Sequence, residues 1–159
     1  MIWYRLFCLL SSTVIMCFDS AAQPLQTTQW VVHEWTIEHP EDILVVQNDA
    51  DHLRLEGLGI QINLSAYNGQ SFDPEGLKDY ALHLRNLFNL EDPDPIYPFN
   101  PPRIHSLCIG GYVDLSRIIV LAIESRGELF VLHAVFDDDD LDAEAITLQV
   151  LRSLIRKEE

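Results

Sequence analysis

Apolar and polar residues alternate along much of this chain, and the alternating stretches are separated by clusters of turn-forming residues. Residues 30–37 are rich in Trp, Val and Thr and predict a strand, broken at His39-Pro40-Glu41-Asp42. Residues 43–47 form a short apolar run that ends at Asn48-Asp49-Ala50-Asp51, a good turn. Residues 53–56 alternate apolar and charged. After Gly57-Leu58-Gly59 comes the clearest strand: Ile60, Ile62, Leu64 and Ala66 share one side, and Gln61, Asn63 and Ser65 the other. A period of two implies a sheet with one buried and one wetter face. Asn68-Gly69 closes it.

The period then changes. Leu77, Tyr80, Ala81, Leu84, Leu87 and Phe88 recur at spacings of three and four, the apolar stripe of a helix. Asp73 is placed as its N-cap, Pro74 as its first residue, and Glu75 near the positive end of its dipole. Residues 89–103 contain Pro93, Pro95, Pro98, Pro101 and Pro102 and predict a long structured loop, because proline removes donors and forces its neighbours extended. Three more strands follow, at 104–114, 118–125 and 129–136, the last two joined by a tight Arg126-Gly127-Glu128 turn. Four aspartates lead into a closing helix over 141–156, with basic Arg152, Arg156 and Lys157 near its end.

Strands joined by short turns are antiparallel neighbours, and two amphipathic helices need a sheet to cover. The expected class is therefore α+β: an antiparallel sheet of about six strands covered by two helices, in a single domain over 30–159. Residues 23–29 show no periodicity and predict a flexible polar leader.

Charge narrows the function. The 159 residues carry 25 Asp+Glu against 10 Lys+Arg, a net charge of −15. Such a surface repels phosphate backbones, which excludes nucleic acid as a partner, and it disfavours anionic membranes. With 48% apolar residues the chain can bury a real core.

Residues 1–22 read as an export signal. Arg5 lies in a short leading region, residues 6–18 are apolar or small, and Ser20-Ala21-Ala22 predicts cleavage before Gln23. The apolar run ends at Asp19, short of the roughly 20 residues that a membrane-spanning helix needs. An exported protein, periplasmic or extracellular and not inserted in the membrane after cleavage, is expected. Cleavage removes Arg5 and Asp19 together, so the net charge is unchanged, and Cys8 and Cys17 leave with the signal. Cys108 then stands alone and is read as a buried strand residue.

The layout resembles the Mog1/PsbP-like group, which includes exported bacterial proteins of the DcrB type. The matching pieces are Trp35-Thr-Ile-Glu-His-Pro40, then Gly59-Ile-Gln-Ile-Asn-Leu64 ahead of a helix with Leu77, Tyr80 and Ala81. Arg126-Gly-Glu-Leu-Phe-Val-Leu-His133 and Val150-Leu-Arg-Ser-Leu154 complete the set. Ile43 stands in the region where a Trp is common in that group. The resemblance implies an α/β sandwich without catalytic residues, serving as an accessory or assembly subunit, a partner-binding protein or a small-ligand binder. Some photosynthetic members bind metal ions.

The chemistry-bearing residues agree with a binding role. The six histidines (His33, His39, His52, His83, His105, His133) form no H-x₃-H or H-E-x-x-H pair. No nucleophile elbow, phosphate-cradling loop or paired-carboxylate signature is present. The rival reading is a metal-dependent or thiol enzyme that uses His105, Cys108 and His133, and it requires those side chains to converge in an open cleft. Ile96, Tyr97 and Phe99 sit in the proline loop as preorganised binding anchors, or else fold down to cap the core. Asp137, Asp138, Asp139 and Asp140 form an acidic rim that a basic protein partner would complement, as in an immunity or inhibitor role. The same run offers hard oxygens to Ca²⁺, against the simpler reading of a solvated helix cap. Gly110-Gly111 inside a strand predicts a bulge or a close approach of another segment.

Overall fold

The alternating residues at 60–66 form the strand they predict, and it lies inside a larger sheet than the pattern alone conveys. A computed structural model describes residues 24–67, 75–99, 101 and 104–157. The signal-like segment, the Asn68-Gly69 turn and the Asp73-Pro74 helix start lie outside the described residues. The elements are β1 (Leu25–Trp30), β2 (Trp35–Pro40), β3 (Leu44–Asn48), β4 (His52–Gly57), β5 (Ile60–Ala66), α1 (Leu77–Leu87), β6 (Tyr97–Pro98), β7 (His105–Val113), β8 (Ser116–Ser125), β9 (Glu128–Asp137), α2 (Leu141–Arg152) and β10 (Ile155–Arg156).

Strands β3-β4-β5-β9-β8-β7-β6 form one seven-stranded sheet, and β1-β2-β10 a second of three strands. Every pairing is antiparallel. The fold is thus an α+β sandwich, with more strands than the expected six. The surplus comes from pieces too short or too polar to carry a period: β6 and β10 have two residues each, and β1 is Leu-Gln-Thr-Thr-Gln-Trp.

β1 corrects the expected flexible leader over 23–29. Its polar residues are held in place by the ladder with β2 and by hydrogen bonds to β3 and the residue before it. Gln26 Nε2 donates to the Ile43 carbonyl at 3.1 Å, and the Gln29 carbonyl accepts from Asn48 Nδ2 at 2.9 Å. The strand expected over 30–37 is split by a 3₁₀ turn at Val31–His33, and Glu34 takes a left-handed φ of 61°. That turn sets Trp30 opposite Trp35 in a hairpin.

The large sheet has two differently covered faces. On one, Leu77, Tyr80, Ala81 and Leu84 of α1 pack on Ile109, Ile118, Val120 and Ala122 of β7 and β8. On the other, Leu53, Leu55, Ile62, Leu64, Leu121, Phe130 and Leu132 meet Trp30, Trp35, Ile37 and the α2 residues Val150 and Leu151. Trp35 and Phe130 pack edge to face with ring centroids 5.2 Å apart. β8 is covered on both sides, which explains its unbroken apolar run Ile118-Ile-Val-Leu-Ala-Ile123.

The closing helix ends at Arg152, four residues before its expected end. Ser153 Oγ donates to the Glu38 carbonyl at 3.1 Å and accepts from Glu38 N at 2.9 Å, so the chain turns onto β2 as β10. Arg156 anchors that return. Its guanidinium lies 5.1 Å from the Phe130 ring and 5.6 Å from the Trp35 ring, and it pairs with Glu128.

Candidate functional site

Alternation within β7 and β9 decides the fate of the proposed thiol or metal centre. Cys108 lies opposite Leu121 and is sealed in the core on the α2 side. His105 and His133 lie on the α1 side: His105 is exposed beside Glu124, and His133 stands opposite Val120. Neighbouring strand residues face opposite ways, so neither histidine reaches the thiol. Burial pushes the Cys108 thiol up to about 11, away from the thiolate a nucleophile needs. The three side chains do not converge, which removes the enzyme reading built on them. Among the described residues, no group of three or more His, Cys, Asp or Glu side chains is placed to hold a metal ion.

The proline loop lies along the outer edge of β7. Tyr97 and Pro98 pair with Cys108 and Leu107, and Glu91 bridges to Tyr112. Phe99 turns into the core, Ile96 packs against the α1-side cluster, and Tyr97 remains 43% exposed. The Gly110-Gly111 pair permits this covering: Asp94, ion-paired with Arg117, lies over Gly110, and Leu90 lies over Gly111. The loop therefore shields a sheet edge that would otherwise offer unpaired backbone groups.

The acidic run sits at one end of the sheet. Asp140 caps α2, its Oδ1 accepting from Asp142 N at 3.1 Å and Ala143 N at 3.0 Å. Asp138 accepts from the Tyr112 hydroxyl at 3.2 Å, and Asp137 Oδ1 accepts from Asp139 N at 3.2 Å. The β7–β8 turn brings Asp114 and Leu115 to the same end, because Ser116 pairs with Asp137. Leu115 is 90% exposed and Leu141, the first residue of α2, is 77% exposed. Asp114, Leu115, Asp137 and Asp139 border one shallow depression.

A second concavity was not singled out from sequence. α1 covers β7 and β8 and leaves the β3–β4–β5 end of the same face uncovered. There a cavity of about 400 Å³ is lined by Gln47, His52, Arg54, Gln61, Asn63 and His133, with Ile62 and Val135. Arg54 lies opposite Asn63 on β5, and Asn63 opposite His133 on β9, so the three form a row across the sheet. Arg54 Nη2 pairs with Glu56 Oε1 at 2.5 Å. The His133 ring packs 4.9 Å from Phe88. Burial, aided by the nearby Arg54 and His52, pushes His133 down to about 4, so it is neutral at pH 7. The Nδ1 atoms of His52 and His133 are buried without a hydrogen-bond partner among the described residues. The legible signal was the polar side of residues 60–66; its convergence with His52, Arg54 and His133 needed the strand order.

No helix among the described residues is long and apolar enough to cross a membrane. No family model matches the chain, and no curated protein matches it in sequence. Among solved structures, the chain is similar to cyanobacterial PsbP (CyanoP) from Synechocystis sp. PCC 6803, determined in solution. The TM-score is 0.59 at 10% sequence identity, over 89% of this chain and 97% of that one. At that identity the likeness concerns the path of the chain, and this protein has a PsbP-like fold.

Proposed function

We propose that this chain is an exported, non-catalytic accessory protein that binds a basic protein partner through the acidic end of its sheet. The carrying observation is that highly exposed Leu115 borders a depression with Asp114, Asp137 and Asp139, while highly exposed Leu141 follows the same aspartate run, between Asp140 and Asp142 in the chain. Apolar side chains flanked by like charges suit a partner with an apolar centre and a basic rim. The leucines supply the desolvated contact, and the carboxylates supply orientation and a fast encounter. A PsbP-like fold is compatible with such a role, and the leading segment 1–22 reads as an export signal.

Affinity capture from the exported fraction at low salt tests this reading, comparing wild type with Leu115→Ser/Leu141→Ser and with Asp138→Lys/Asp139→Lys. The expected result is a basic protein retained by wild type, lost with both variants and released by salt. Capture of nothing, or capture that both variants leave unchanged, would overturn it.

A further inference from the structure

The open half of the α1-side sheet face carries polar groups that the fold itself leaves unused. Neither Asn63 nor Gln61 makes a side-chain hydrogen bond among the described residues. Each carboxamide offers both donors and an acceptor. His133 is held against Phe88 at one side of the groove, and Arg54, ion-paired with Glu56, and Gln47 line the other.

The charge balance selects the class of ligand. An anion would meet Glu56 beside Arg54, within a chain of net charge −15. A divalent cation would meet the Arg54 guanidinium, and no carboxylate lines the groove to hold it. An uncharged ligand whose groups both donate and accept has neither difficulty. Adjacent hydroxyls match a carboxamide, one donating to its oxygen and the other accepting from its nitrogen.

We propose that this groove binds a neutral polyhydroxylated ligand of the saccharide class, with Asn63 as its central contact. The Asn63 carboxamide engages a pair of adjacent hydroxyls, Arg54 donates to a third oxygen, and the His133 ring shapes the wall. Gln61 and Val135 border both depressions, but Asn63, Arg54 and His133, which carry this inference, line only the groove, and the leucines of the acidic end lie outside it.

The test is titration of the ¹⁵N-labelled protein, following by NMR the backbone amides of residues 54, 63 and 133, which wild type and variant both carry. The probes are maltose, cellobiose and N,N′-diacetylchitobiose, with sodium phosphate, citrate and zinc chloride as competing chemistries. A saturable shift with at least one disaccharide is expected, and Asn63→Ala should weaken its Kd roughly tenfold, as befits lost hydrogen bonds. Leu115→Ser/Leu141→Ser should leave that titration unchanged, which separates this result from the fate of the protein-binding reading. Absence of a saturable shift from all three disaccharides up to about 50 mM, beyond a weak millimolar site, would overturn the proposal. So would a response confined to phosphate, citrate or zinc, or a Kd that Asn63→Ala does not move.

Discussion

Cys108 on β7 and His133 on β9 stand on opposite faces of one sheet, although both strands pair with β8. Cys108 pairs with Leu121 and His133 with Val120, and those two β8 neighbours point to different layers. The thiol meets the apolar cluster under α2, whereas the imidazole borders an open polar groove. A strand places chemistry by parity, so residues close in sequence and in space still serve different environments.

Cys108 should therefore be inert in the native protein. Burial raises its thiol to about 11. Labelling with a thiol reagent at pH 8, followed by peptide mapping, is expected to modify Cys108 only under conditions that unfold the protein. Rapid native labelling would contradict its placement in the core.

His133 should make stability pH-dependent with a defined sign. Its folded value of about 4 lies below the ordinary 6.5, so the unfolded chain binds the extra proton between them. The stability contributed by neutral His133 is fully present above pH 6.5 and is lost as pH falls toward 4. The loss is on the order of 2 kcal/mol, allowing for partial solvent screening. Urea midpoints measured across this window should fall less steeply for His133→Gln than for wild type; equal slopes would refute the assignment.

Within the aspartate run, one member should matter for the helix and the others little. Asp140→Ala removes the α2 cap and should cost about 1 kcal/mol. Asp139→Ala should stay within about 0.5 kcal/mol. Thermal or urea unfolding compares them, and equal effects would mean that the run acts through charge alone.

Two glycines on either side of Leu58 should respond differently to alanine. A Cβ at Gly57 would lie 2.1 Å from the Asp42 carbonyl oxygen and 2.8 Å from Ile43 Cα, both backbone atoms that cannot swing aside. Gly59 has open space but a φ of +71°. Gly57→Ala should cost about 3 kcal/mol through overpacking. Gly59→Ala should cost about 1 kcal/mol through the left-handed backbone alone. The reverse ranking in denaturant unfolding would show that the β2–β3 connection yields easily.

Much of this protein is determined by its sequence alone, where the cause is local. The period-two residues at 60–66 sort themselves between core and solvent, and the spacing of Leu77, Tyr80, Ala81 and Leu84 makes a helix that must cover a sheet. Gly110 and Gly111 announce the close approach that Asp94 and Leu90 make. The strong net negative charge is likewise a property of composition.

The tertiary structure alone decided the rest. β1 and β10 are strands only because β2 offers them edges, so their own polarity or brevity hides them. The loop residue Phe99 joins the core while Tyr97, two residues earlier in the same β7-paired segment, stays half exposed, a difference that no local pattern carries. The polar groove needs residues from β3, β4, β5 and β9 brought together by strand order, together with a helix that stops short of covering them. Local periodicity sets which side of a strand is wet; only the arrangement of layers sets which wet side remains open to a ligand.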